Sequence, residues 1–179
     1  MSDPTTIREM TLADCPRVSE IRIRGWETAY KGLIPQPYLD ALSVADDAAR
    51  RRERFGRPGT EVVNLVAEQD AEVVGWVCHG PYRDGEVRTE DAELYAIYVH
   101  PDRVGGGVGG ALLRESTMRC AAAGYERMLL WVLKENTPAR RFYERAGFIP
   151  DGAEEPFDAD GVAVPEVRYL RALTDAESR

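Results

Sequence analysis

The sequence contains no apolar run of membrane-spanning length, and its opening, MSDPTTIREM, has neither a basic stretch nor an apolar one. A membrane span and a secretory leader are both excluded on that reading, and the expected location is the cytoplasm. Cysteine is scarce. Cys15, Cys78 and Cys120 are odd in number, far apart and form no CxxC pair, which argues against a disulfide framework and against a zinc site. The two histidines, His79 and His100, stand without acids at a telling spacing and read as structural. Basic charge is in the minority: Lys and Arg total 23 against 31 Asp and Glu, a formal net charge of -8. The basic footprint of a nucleic-acid binder is therefore missing, while an acidic surface suits a cationic partner or simple solubility.

What is present is ordinary for a globular protein. Hydrophobic residues make up 44% of the 179 and charged residues 30%, enough for one domain over 1–179 with a single core. "TTIREM" reads as a first strand. Val18, Ile21, Gly25, Trp26, Ala29 and Tyr30 then recur at helical spacing, with Thr11 a possible cap. "GLIP" breaks that helix, and "QPYLDALSVADDAARRRERF" offers one or two more. "EVVNLVAEQ" and "EVVGWVCHG" alternate as a hairpin around Asp70 and Ala71. The charged stretch over 81–93 reads as a surface loop, and "ELYAIYV" (93–99) as a strand. A helix over 111–124, a buried strand "RMLLWVL", a short helix in "NTPARRFYERAGF" and two strands around "DADG" complete an α/β (α+β) pattern.

Between the strand "ELYAIYV" and its following helix lies "HPDRVGGGVGG", with glycines at 105, 106, 107, 109 and 110. Glycine admits positive φ and leaves amide N–H groups unshielded, so such a loop at a helix start is suited to phosphate. A Walker A loop needs Gly-Lys-Ser/Thr, and here Ala111 and Leu112 follow Gly110. Gly105, Gly107 and Gly110 satisfy G-x-G-x-x-G, the mark of a dinucleotide-binding oxidoreductase. Five residues, however, separate the strand end from the first glycine. Only about 45 residues follow "RMLLWVL", too few for a doubly wound sheet at roughly 30 residues per βαβ unit.

A third pattern fits better. Gly107 and Gly109 match [QR]-x-x-G-x-[GA] laid over Val104 to Gly109, although Val104 replaces the Gln or Arg and Arg103 lies one place early. Asn136, Ala139, Phe142, Tyr143, Gly147 and Phe148 meet N-x-x-A-x-x-[FY]-Y-x-x-x-G-F in full. On these two motifs the sequence resembles the GNAT superfamily of acyl-CoA-dependent N-acyltransferases. The resemblance implies a mixed central sheet splayed between strands 4 and 5 and flanked by helices, with acetyl-CoA as cosubstrate and no metal. It implies that the pantetheine arm pairs with Ile97, Tyr98 and Val99 like an added strand and touches Asn136, which is also a helix cap. The amides of Val104, Gly105, Gly106, Gly107, Val108, Gly109 and Gly110 would hold the pyrophosphate.

Acetyl transfer to an amine needs a base for the amine, a donor to the developing oxyanion and a proton for the leaving thiolate. The resemblance assigns the base to Glu93, directly or through a water, since Trp131 occupies the other position used in the family. It assigns the acid to Tyr143 and the oxyanion donor to the N–H of Tyr98 or Val99. Strict alternation places Glu93 and Tyr95 on one face of the strand with Ile97 and Val99. Trp26, Tyr30, Tyr38, Tyr95 and Trp131 are candidate walls of an acceptor site; Trp26, Tyr30 and Trp131 read equally as core aromatics. The expected acceptor is a small-molecule amine or a protein amino group, and a homodimer is left open. The alternative from another class is a non-catalytic acyl-CoA sensor.

Overall fold

Asp14 fixes the start of the first helix. Its carboxylate accepts the N–H and the hydroxyl of Thr11 at 2.8 and 3.1 Å. Two nitrogens of Arg8, on strand β1 (Thr6–Glu9), hold the same group. The chain thereby turns from β1 into α1 (Cys15–Ala29), whose buried stripe is Val18, Ile21 and Gly25. The structure, a computed structural model, describes residues 4–173; residues 1–3 and 174–179 of the domain expected over 1–179 lie outside that range.

Two further helices, α2 (Gln36–Asp40) and α3 (Val44–Arg54), follow the "GLIP" break, and Ser43 caps the second by accepting the Asp46 N–H at 3.2 Å. Strands β2 (Val63–Gln69), β3 (Glu72–Asp84) and β4 (Val87–Val99) form an antiparallel meander with β1. Helix α4 (Val108–Ala122) crosses over to β5 (Arg127–Leu133), parallel to β4. After α5 (Thr137–Arg145), β6 (Ile149–Ala159) and β7 (Val162–Ala172) close an antiparallel hairpin. The sheet order is β1-β2-β3-β4-β5-β7-β6, the mixed α/β arrangement expected. Helix α4 packs on one face through Val108 and Leu112; α1 packs on the other over Val66, Trp76 and Cys78. No helix among the described residues is long and apolar enough to cross a membrane.

The charged stretch over 81–93 is strand, not loop. It forms the outer part of a β3–β4 hairpin, with Arg83 opposite Arg88 and the Thr89 hydroxyl donating to the Tyr82 carbonyl at 2.8 Å. Arg88 pairs with both Glu61 oxygens at 2.8 Å. A two-stranded arm exposes much of its surface, so charge density alone does not argue against a strand. Helix α4 also begins three residues before the expected Ala111, so Gly109 and Gly110 belong to its first turn.

Two irregularities shape the region beside α4. Strands β4 and β5 pair only at Ala92–Met128 and Glu93–Leu129, and beyond these they part, as expected for strands 4 and 5. Within β4, Ala96 faces Cys78 while Leu94 faces the next residue, His79, so Tyr95 is an extra residue in a bulge. Ala92, Leu94, Ile97 and Val99 consequently share the core with α4, whereas Ala96 and Tyr98 pack towards α1. This corrects the strict alternation: Glu93 lies on the α1 side and Ile97 and Val99 on the other.

Candidate active site

The parted strands enclose a cavity of about 850 Å3. Its floor at one end is the glycine loop. A 3-10 turn (Pro101–Arg103) leads through Gly105, at φ 88°, and Gly107, at φ 85°, into α4. That reversal needs residues without a Cβ. Gly107 is the N-cap and has no side-chain cap, so the first amides of α4, on Val108, Gly109 and Gly110, have no intrahelical acceptor. A Cβ on Gly109 would stand 3.5 Å from the Phe142 ring and 3.6 Å from Val99, both of which line the cavity with it. The cradle therefore fits a diphosphate bound by backbone donors. Val104 is 71% exposed and lines the cavity, and Gly106 is absent from the lining. The Arg103 guanidinium reaches Gln69 at 3.3 Å and Glu72 at 3.6 Å. It is thus held beside the β2–β3 turn, while the residue also lines the cavity next to Val104.

The open edge of β4 supplies a second set of donors. The His100 N–H bonds to the Val74 carbonyl at 2.8 Å, and the register then makes Tyr98–Trp76 a hydrogen-bonded pair. In an antiparallel ladder such pairs alternate with pairs that turn their backbone groups outwards. Ile97 and Val99 therefore present N–H and C=O to the gap, and Tyr98 does not. Of the two oxyanion donors left open by the sequence, the register favours Val99.

Glu93 sits where β4 and β5 part, half-buried and lining the cavity. Burial foremost, then the nearby Glu155 and Glu166, pushes its carboxyl up to about 7. Across the cavity Tyr143 projects from α5, its ring 5.3 Å from that of Phe142 and 6.1 Å from that of Phe148. Burial, with Tyr98 adding, raises its phenol above the ordinary value. The helix is set by Asn136, 7% exposed, whose side-chain oxygen accepts the Ala139 N–H at 3.4 Å while the residue also lines the cavity. Both expected roles of Asn136 are sterically compatible.

A known family model, the acetyltransferase (GNAT) family, matches residues 24–148, from within α1 to just past α5. The chain belongs to that family. It is 31% identical over 90% of its length, and 90% of the relative's, to the uncharacterized N-acetyltransferase YuaI of Bacillus subtilis (strain 168). Its fold is shared with a ribosomal-protein-alanine N-acetyltransferase from Brucella melitensis at a TM-score of 0.75 and 24% identity, covering 93% of this chain and 99% of that one. It is shared also with YncA of Salmonella typhimurium, a structure with its cofactor acetyl-CoA, at a TM-score of 0.71 and 23% identity, covering 98% and 96%. The protein is thus an acetyltransferase with a GNAT sheet.

In this GNAT chain the candidate acceptor walls divide into two groups. Trp26, Tyr30, Tyr95 and Trp131 line the cavity. Tyr38 does not: it stacks behind Trp26 at 6.2 Å and meets Phe157 edge-on at 5.7 Å. Tyr95 lies against Gly80, its hydroxyl donating to the Pro81 carbonyl at 2.5 Å. Trp131 carries the Arg168 guanidinium 5.6 Å from its ring centroid. The sequence reading missed Phe157, Glu155 and Glu166, which β6 and β7 bring to the cavity from beyond the family match. Counting outwards from the Asp160–Gly161 turn places Glu155 opposite Glu166, and that was the available signal.

Proposed function

We propose that this acetyltransferase moves an acetyl group from acetyl-CoA directly to a primary amine bound in the same cavity, with Glu93 as base and Tyr143 as acid. One observation carries the reading: Glu93 faces the cavity at the point of strand divergence and makes no ion pair or side-chain hydrogen bond among the described residues. Acetyl-CoA supplies the acetyl group as a thioester. The amides of the glycine loop and of the first turn of α4 hold its diphosphate, and the free backbone groups of Ile97 and the carbonyl of Val99 hold its arm.

A carboxyl at about 7 is half ionised near neutrality, where a base both takes a proton and gives it up again. Glu93 accepts a proton from the acceptor's ammonium group. The new C–N bond forms as the thioester C–S bond breaks; Tyr143 delivers its proton to the sulfur and regains one through solvent from the second amine proton, and Glu93 releases the first to solvent. The raised phenol of Tyr143 keeps its proton across the working range, as a donor must. The Val99 N–H faces the gap where negative charge builds on the carbonyl oxygen.

The test is a panel of small amines and peptide amino termini incubated with acetyl-CoA, with free thiol as the readout. Amine-dependent thiol release is expected from at least one member. Binding of acetyl-CoA without release from any member would instead make the protein an acyl-CoA sensor.

A further inference from the structure

The acceptor end of the cavity carries more negative charge than one base requires. Glu155 and Glu166 stand directly opposite each other on β6 and β7. Glu166 is opposite Leu133 on β5, and Glu93 is level with Leu129. Residues 129 and 133 share a face by the period of two, so all three carboxylates leave the same side of the sheet and line the one cavity. None of them has an ion-pair or side-chain hydrogen-bond partner among the described residues. The cations beside them are engaged elsewhere: Lys134 with Glu154 at 2.9 Å, and Arg168 with Asp151 at 2.6 Å and the Tyr82 hydroxyl at 3.0 Å.

Like charges opposite one another across a strand pair are destabilising. Burial, and after it Glu155, pushes the Glu166 carboxyl up to about 7. A cation between the two would relieve the repulsion. No group of three or more His, Cys, Asp or Glu among the described residues is placed to hold a metal ion. The walls favour an organic cation instead: Trp26 and Phe157, in edge contact at 5.8 Å, flank the same space with apolar surface. The carboxylates are thus read within a cavity whose shape, base and family already mark it for an amine.

We infer that the acceptor is a short aliphatic diamine, its reacting nitrogen at Glu93, its alkyl chain against Trp26 and Phe157, and its distal ammonium held by Glu155 and Glu166. The inference rests on the acetyl transfer proposed above and adds the class of acceptor. The distal nitrogen keeps its protons and its charge throughout; only the nitrogen at Glu93 is acylated.

The experiment compares kcat/KM for putrescine and n-butylamine, which share a four-carbon chain and differ in the second amine. The wild-type protein is expected to prefer putrescine by about tenfold or more, the worth of a charge-assisted contact. The E155Q/E166Q variant, and the single E155Q variant at an exposed position, are expected to shrink that preference. Equal kcat/KM in the wild type, or a preference that survives in E155Q/E166Q with its fold verified by circular dichroism, overturns the inference. Thiol release with other amines but with neither of these two also overturns it while leaving acetyl transfer intact. Absence of release with any amine removes both.

Discussion

The indole N–H of Trp26 donates to the Tyr98 hydroxyl at 2.8 Å, and the Tyr30 hydroxyl lies 3.1 Å from the same oxygen. This contact locks α1 to the strand that carries Glu93. It depends on Gly25, where a Cβ would stand 2.9 Å from the Tyr98 ring. Trp26→Phe keeps most of the packing and removes the donor. The expected cost is about 1 kcal/mol of stability, the usual worth of one such hydrogen bond, read from urea unfolding. KM for the amine should rise while KM for acetyl-CoA stays unchanged.

Glu93 and Tyr143 separate through pH. The wild-type rate should rise as pH passes about 7, because the base works only when ionised. Glu93→Gln should lose that inflection and fall by ~10²–10³ near neutrality, with partial recovery at alkaline pH where the amine is already unprotonated. Tyr143→Phe should keep the inflection and stay impaired at high pH. A Glu93→Gln profile parallel to the wild type would place the base elsewhere.

The glycine loop offers a contrast between strain and obstruction. Gly107 has φ 85° and open space around its missing Cβ, so Gly107→Ala should cost about 1–2 kcal/mol through the backbone alone. Gly109 is helical, and its added Cβ would meet Phe142 at an ordinary 3.5 Å. Gly109→Val should therefore fold yet bind CoA about tenfold or more weakly, as measured by titration calorimetry. Unchanged affinity would reduce the glycines to a turn.

His79 should make stability depend on pH. Its Nδ1 lies 2.7 Å from the Ser116 hydroxyl in the core, and burial, with Arg119 adding, pushes it down to about 4. The unfolded chain takes up this proton near pH 6.5 and the folded chain only near 4. Stability from this group is full above pH 6.5 and is lost as pH falls towards 4, by at most about 3 kcal/mol. Glu93 and Glu166, both raised, act with the opposite sign between about 7 and their unfolded values. The difference in unfolding free energy between wild type and His79→Gln, followed from pH 7 to 4, isolates the histidine. A difference that is constant over that range would show that His79 is protonated equally in both states.

The sequence disclosed those parts of the site that are written locally. The Asn136 cap, the helix stop just before Gly147, the glycine loop and the strand bearing Glu93 each announce themselves within a dozen residues. The parting of β4 and β5 came only with the family likeness. The bulge at Tyr95 was invisible because it is a relation between two strands: nothing in "ELYAIYV" says that Cys78 and His79 will face Ala96 and Leu94. Glu155 and Glu166 were missed for a related reason. Their meeting depends on a hairpin register and on the pairing of Glu166 with Leu133, more than thirty residues away in sequence. The arm over 81–93 was misread because its charges were weighed without their cross-strand partners.

The open edge of β4 has a further consequence, visible to deuterium rather than to kinetics. Amides exchange with solvent according to whether they are hydrogen-bonded and how often that bond opens. Along Ala96 to His100 the donors alternate between β3 and the gap, so in the free enzyme slow and fast exchange should alternate residue by residue: Tyr98 and His100 protected, Ile97 and Val99 not. Bound acetyl-CoA, its arm on Ile97 and its thioester oxygen on Val99, would erase that alternation, leaving a uniformly protected strand in place of a striped one.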